Sequence, residues 1–270
     1  MSANFQDLSE PALRKTIEEN LWAFHPYFLK WPRSEGQTSP RLMWSITDIP
    51  FPMFNNILGA RLKVEDADKE IEAAIARGRA RHVPLLWFTG PSTTPADLGL
   101  SLIAHGFTRD EDSPGMAADL FKLPETAPTV SGLTITAVTD LKSMQTWCDT
   151  AVAGYGMPEI AGPAFLDWFS SFPLSHREPL RHYIGWWNGR AAAVSSLLLA
   201  AGAAGIYNVA TLPEFRGKGI GSAMTLTPLL AARAEGYRIG VLQSSSQGLS
   251  VYRKLGFKEY CSIGSYIWSG

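Results

Sequence analysis

Apolar and polar positions alternate between two periods along this chain. Ile206, Val209 and Thr211 are β-favouring residues in a short run that Pro213 ends, because proline cannot donate to a sheet ladder. From Gly221 onward Ala223, Met224, Leu226, Leu229 and Leu230 recur at the helical period, with Gly236 as the stop. The pattern therefore predicts a strand, a glycine-containing turn and an amphipathic helix. A second strand follows over 240–243, and a short helix leads to Gly256 and Phe257. Near the start, Leu13, Ile17, Leu21 and Phe24 fall on one face of a helix over 10–24 with Ser9 as its cap. Residues 191–213 carry no charge and are long enough for a membrane span, but Ser195, Ser196, Gly202, Gly205 and Asn208 interrupt them. The stretch reads instead as two buried strands joined at a hairpin turn in AAGAAG.

The glycines at the helix start carry the chemistry. The first N–H groups of a helix lack internal partners and the helix dipole adds positive character, so an anion there is bound by backbone. A Cβ at Gly219 or Gly221 would hold phosphate oxygens away, Gly217 supplies a backbone angle closed to other residues, and Arg216 and Lys218 add charge. The spacing G-x-G-x-G differs from the dinucleotide fingerprint, and Lys218 is followed by glycine rather than the Ser or Thr of a P-loop.

The order strand, LPEFRGKGIG, helix, strand, and VYRKLGF resembles the GCN5-related N-acetyltransferases (GNAT) over residues 130–270. The resemblance implies an α/β fold with a mixed sheet and acetyl-CoA as cosubstrate. It also implies that the backbone of Val209, Ala210 and Thr211 faces the pantetheine. Arg216, Gly217, Lys218, Gly219, Ile220, Gly221 and Ser222 would hold the diphosphate, and Tyr252 would protonate the departing thiolate. An unperturbed phenol, with a pKa of about 10, stays protonated at neutral pH yet can donate to a nascent thiolate. Two positions depart from the family pattern. Ser245 stands where many members have an Asn that holds cofactor or helix, a cofactor-binding role that serine can still serve in part, with Gly248 at a position usually small, and the strand Tyr207-Asn208-Val209-Ala210-Thr211 lacks the carboxylate that often serves as base. Glu159, His182 or a water chain from Asn208 are the candidates to replace it, while Glu214 is expected to face solvent. Residues 149–169 would cover the acceptor, with Gly154, Gly156 and Pro158 interrupting their helical pattern as a mobile loop. Tyr155, Met157 and Trp168 there suit a partly apolar acceptor and equally a closed core.

Residues 124–132, PETAPTVSG, are the expected linker between an N-terminal domain over 1–125 and a catalytic domain over 130–270. The two halves echo each other. LIAHGF at 102–107 matches YRKLGF at 252–257, and a strand-like run precedes each. In that alignment Leu102 replaces Tyr252, and the helix that should open with a glycine loop opens instead near Val64, Glu65, Asp66, Ala67 and Asp68, whose carboxylates would repel phosphate. The chain thus reads as tandem acyl-CoA N-acyltransferase-like domains, the C-terminal one intact and the N-terminal one degenerate; an unrelated α+β packing domain is the alternative. The aromatic group Trp22, Phe24, Tyr27, Phe28 and Trp31 is expected to be core rather than a substrate wall.

A chain of 270 residues with 46% hydrophobic content can build two modest cores. Its net charge of −1 gives no field for nucleic acid, and Cys148 and Cys261 lack the spacing of a metal or redox motif. With a polar, acidic start in place of a secretory signal, these features predict a cytoplasmic protein without metal, acting as monomer or homodimer away from membranes. The acceptor would be a small-molecule amine or a peptide N-terminus. A non-catalytic acetyl-CoA-binding regulatory module is the competing reading.

Overall fold

The computed structural model describes residues 7–270; residues 1–6 of the polar start lie outside it. In chain order the elements are α1 (Glu10–Trp22), α2 (His25–Lys30), β1 (Glu35–Thr38), β2 (Met43–Ile46), β3 (Asn56–Leu58), α3 (Val64–Arg81), β4 (Leu85–Thr89), α4 (Leu98–Ala104), β5 (Thr108–Arg109) and β6 (Ser113–Asp119). Then follow β7 (Leu133–Ala137), α5 (Leu141–Tyr155), α6 (Ala161–Ser170), β8 (Leu180–Trp187), β9 (Arg190–Ala200), β10 (Ala203–Thr211), α7 (Ile220–Ala234), β11 (Ile239–Gln243), α8 (Leu249–Leu255) and β12 (Lys258–Trp268). The chain forms two compact units, one of residues 7–20 with Met116–Tyr260 and the other of Leu21–Gly115 with Cys261–Gly270.

In the first unit β7, β8, β9 and β10 pair antiparallel in sequence order, and β10 then pairs parallel with β11. The uncharged stretch is the β9–β10 hairpin, turned by Ala201 (φ 49°) and Gly202 (φ 71°). Among the described residues no helix is long and apolar enough to cross a membrane. Packed on the sheet, α7 supplies Ile220, Met224, Leu226 and Leu229 to a core shared with Leu197, Ile206, Leu242 and Phe257. Pro228 sits inside this helix, where it cannot donate to the carbonyl of Met224. The Ser195 hydroxyl donates to that carbonyl at 2.9 Å, so the lost helix bond is replaced from the sheet. Helix α1 joins the unit through the wholly buried Asn20, whose amide donates to the carbonyls of Ala200 (2.7 Å), Ala203 (3.3 Å) and Leu198 (3.4 Å) around the hairpin.

The second unit repeats the plan. Strands β2 and β3 pair antiparallel, β3 pairs parallel with β4 across α3, and β4 pairs antiparallel with the end of β12. Its core joins Ile57, Ile71, Leu85, Trp87, Leu102 and Phe107. The equivalence extends to single hydrogen bonds. The Phe107 N–H donates to Leu102 O at 3.0 Å around Gly106 (φ 88°), as Phe257 donates to Tyr252 O at 3.0 Å around Gly256 (φ 104°). Of the aromatic group, Trp22, Phe28 and Trp31 are buried in this unit as core, and Phe24 and Tyr27 are half-buried.

Candidate active site

Strands β10 and β11 are in register only from Ala203 with Ile239 to Gly205 with Val241, and beyond that they part. On its other edge β10 slips register with β9 between Tyr207 and Ala210, where Asn208 adopts φ 53°. The result is a bulge beside an opening between two parallel strands. At the mouth of the opening, Gly217 (φ 75°) and Gly219 (φ 81°) turn the chain into α7, whose N-cap Gly219 makes no side-chain cap. The N–H groups of the first turn are therefore available to an anion. A Cβ built on Gly217 or Gly221 meets nothing within 4 Å, and one on Gly219 meets only Val130 at 3.7 Å. Space thus lies open against these amides, as a diphosphate cradle requires, and Ile220 is buried beneath it while Ser222 sits half-buried in the first turn.

The charged side chains are used differently. The Arg216 guanidinium turns back, donating to Thr211 O at 3.0 Å and Gly154 O at 2.8 Å, so it pins the end of α5 to the end of β10. Lys218 is exposed, its ammonium 5.9 Å from the centre of the Trp187 ring. From α5 the Tyr155 hydroxyl donates to Val209 O at 3.2 Å, and Gly154 lies so close to the strand that a Cβ on it would meet Ala210 Cβ at 2.9 Å. Gly154 is thus a close-packing residue within α5, and the break in helical pattern narrows to the turn at 156–160 between α5 and α6.

Tyr252 lies in the middle of α8. A Cβ at Gly248 would meet its ring at 2.8 Å, which explains the small residue there. Loss of hydration pushes its phenol up to about 12, opposed by a hydrogen bond with the Thr225 side chain of α7. Thr225 in turn donates to Gly221 O at 2.9 Å, so the phenol is tied to the helix that begins at the glycine loop. Ser245 is turned to local capping, its hydroxyl oxygen accepting from the Gly248 N–H at 3.2 Å.

Residues 179–259 match the family model of the acetyltransferase (GNAT) domain. The chain carries a GNAT domain. Its whole fold is similar to a GCN5-related N-acetyltransferase from Kribbella flavida, with TM-score 0.71, 15% identity, and 98% of this chain and 97% of that one covered. A GCN5-related N-acetyltransferase from Sphaerobacter thermophilus superposes with TM-score 0.62 at 15% identity over 96% of this chain and 91% of that one. A tandem GNAT protein from the clavulanic acid biosynthesis pathway gives 0.59 at 15%, covering 99% and 97%. At these identities the likeness is one of fold, and that fold is a tandem of GNAT-like units, as the repeated topology of the two units indicates. No curated protein matches the sequence.

The residues weighed from sequence as base or acceptor wall have the following surroundings. Glu214 pairs with Arg190 at 3.3 Å on the surface, as expected, and Glu159 is exposed in the turn before α6. Trp168 is buried and stacks on Phe169 with ring centroids 4.6 Å apart, so it closes the core, while Met157 is half-buried. His182 on β8 is buried between Trp147 and Phe169, at 5.0 and 4.3 Å, and this burial lowers its pKa to about 3. Such an imidazole stays neutral and is too weak a base to hold a proton at pH 7. Its Nδ1 lies 2.8 Å from Ser196 Oγ, and Asn208 Nδ2 donates to the same oxygen at 3.2 Å. Ser196 itself carries no sequence signal. The apex of the opening is likewise lined with neutral polar groups: Tyr207 bonds Gln243 across the two strands and donates to Asn20 Oδ1 at 2.7 Å.

Proposed function

We propose that this chain is an N-acetyltransferase that moves the acetyl group of acetyl-CoA to the amine of a small molecule or a peptide N-terminus. The unit built around Met116–Tyr260 acts as the catalytic domain expected over 130–270, and the unit built around Leu21–Gly115 as the degenerate partner expected over 1–125. The observation that carries the reading is the open glycine turn at the start of α7 beside two parted parallel strands, with the half-buried Tyr252 tied through Thr225 to the helix that the turn begins. Bound acetyl-CoA supplies the thioester carbonyl and the thiolate leaving group. The amides of Gly217, Lys218, Gly219, Ile220, Gly221 and Ser222 bind the diphosphate, Lys218 adds charge, and Arg216 contributes by fixing the loop to Thr211 and Gly154. The backbone of Val209, Ala210 and Thr211 borders the pantetheine arm. Tyr252, uncharged through the physiological range, gives its proton to the thiolate.

Calorimetric titration of acetyl-CoA tests the first step. Wild type is expected to bind in the micromolar range and Gly219→Glu, which sets a side chain and a negative charge in the cradle, to lose binding. Absence of binding to folded wild type would refute the reading. The regulatory reading is favoured by one observation, the neutral polar face around Asn208 and His182 where a base is often placed. It predicts tight binding without CoA release for any amine in a panel of polyamines, amino sugars, amino acids and peptides.

A further inference from the structure

Three neighbouring strands carry a hydrogen-bond chain that the glycine loop and Tyr252 do not use. Asn208 on β10 donates from Nδ2 to Ser196 Oγ on β9 at 3.2 Å, and Ser196 Oγ lies 2.8 Å from His182 Nδ1 on β8. His182 and Ser196 sit opposite each other in register, so their side chains share one sheet face. Ser196 is 0% and His182 4% exposed, which removes water as a competing partner, while Asn208 is only half-buried. Burial keeps His182 neutral, and with either of its tautomers the Ser196 oxygen keeps a lone pair that accepts from Asn208 Nδ2. The carboxamide is therefore anchored by its nitrogen, and its oxygen lies on the opposite corner. Asn208 also occupies the register slip of β10 with φ 53°, three residues beyond the last pair with β11.

We propose that Asn208, oriented by Ser196 and His182, positions the acceptor by accepting a hydrogen bond from its amine N–H, and that the amine is taken up in its neutral form. This rests on the acetyltransferase reading. A carboxamide oxygen accepts a hydrogen bond but cannot hold a proton at neutral pH. The titratable groups on the elements packed there include Cys148, Tyr155 and the exposed Asp149 on α5, the exposed Asp167 on α6, Tyr183 and the Glu235-paired Arg181 on β8, Tyr207 on β10, Tyr252 on α8, and Glu18 and Glu19 on α1. Burial raises Cys148 to about 12 and lost hydration shifts Tyr207 and Tyr252 upward, so these three remain protonated, while Tyr155 is 47% exposed with its hydroxyl engaged by Val209 O. Glu18 is 2% exposed and has interactions of its own. In the transfer step the nitrogen lone pair forms the C–N bond, the C–S bond breaks, and sulfur receives the Tyr252 proton. The nitrogen releases one proton to solvent and Tyr252 regains one, so protons balance without a net base. An ammonium would bring an extra proton, which disfavours lysine-type amines (pKa about 10.4) relative to peptide α-amines (about 7.7 to 8.0).

The test uses full-length protein, acetyl-CoA and hydroxylamine as the acceptor probe, with enzyme-dependent CoA thiol release as readout. Asn208→Gly removes the carboxamide while glycine accepts the positive φ, so the fold is kept. It is expected to raise the KM for hydroxylamine about tenfold, with kcat and acetyl-CoA affinity within about twofold of wild type. Asn208→Asp is expected to restore the KM and to add to the kcat/KM profile an ionisation that wild type lacks, which a merely structural residue would not do. An unchanged KM in Asn208→Gly, or an Asp variant whose pH profile superposes on wild type, overturns the proposal. Acetyl-CoA binding without hydroxylamine-dependent release in wild type overturns it too, whereas loss of acetyl-CoA binding itself defeats the acetyltransferase reading underneath.

Discussion

At the residue scale the site turns on what each polar group can do once its neighbours are counted. In Tyr252 lost hydration keeps the proton on the phenol, and the hydrogen bond with Thr225, which opposes that shift, orients the ring. Because the folded value is raised to about 12, ionisation of Tyr252 removes no activity as pH rises from 6 to about 10, and a basic limb appears only as pH nears the raised value. Tyr252→Phe keeps the ring, its edge contact with Phe257 and the space under Gly248. Turnover is expected to fall by roughly a hundredfold while acetyl-CoA affinity stays within about twofold, measured by steady-state thiol release and calorimetry. Equal turnover of the Phe variant would take the proton-donor role away. Arg216 shows the opposite case, a cation placed by sequence beside a phosphate loop whose hydrogen bonds go to two backbone carbonyls.

At the element scale, what was legible in the sequence is what depends on neighbours in sequence. The β10 strand, the glycine turn, α7 with its stop at Gly236 and the α8 turn at Gly256 follow from propensity, period and positive φ over short spans. The chain Asn208–Ser196–His182 was not legible, because it exists only through the register of three strands and a slip between Tyr207 and Ala210. Likewise Asn20 reads as one more polar residue on an amphipathic helix until its amide meets the β9–β10 hairpin far along the chain. Pro228 argues against α7, and its tolerance there involves the Ser195 hydroxyl, which takes up the freed Met224 carbonyl from a distant strand. Gly154 reads as a helix breaker and is instead the point where α5 touches β10. Gly154→Ala sets a methyl 2.9 Å from Ala210 Cβ, a contact that neither backbone can relieve without moving. The expected cost is about 1–3 kcal/mol, seen as a lower midpoint in chemical denaturation. Because the displaced strand residue is one of the three proposed to border the pantetheine, acetyl-CoA affinity should weaken as well. An unchanged midpoint and affinity would mean that α5 yields freely.

At the scale of the whole molecule, two copies of one topology differ in whether the parallel strands part. After β10 and β11 separate, the glycine turn leaves open space against the first amides of α7. In the other unit the chain after β3 is held instead. Thr94 N–H donates to Ala60 O at 3.0 Å and Leu62 N–H to Thr94 O at 2.9 Å, closing the position that corresponds to the opening. Gly59 has no free space, since a Cβ there would meet Met43 at 2.6 Å, and α3 begins with Glu65 and Asp66, the latter paired with Arg41 at 2.8 Å. Carboxylates at a helix start satisfy the dipole and repel a diphosphate. Leu102, fully buried, fills the place equivalent to Tyr252. The expected stoichiometry is therefore one acetyl-CoA per chain of 270 residues, despite two GNAT-like units. Calorimetry on accurately quantified protein reads this directly, and Gly219→Glu should abolish all the binding heat. A stoichiometry of two, or half the heat surviving in that variant, would mean that the N-terminal unit binds the cofactor by some route other than a glycine turn.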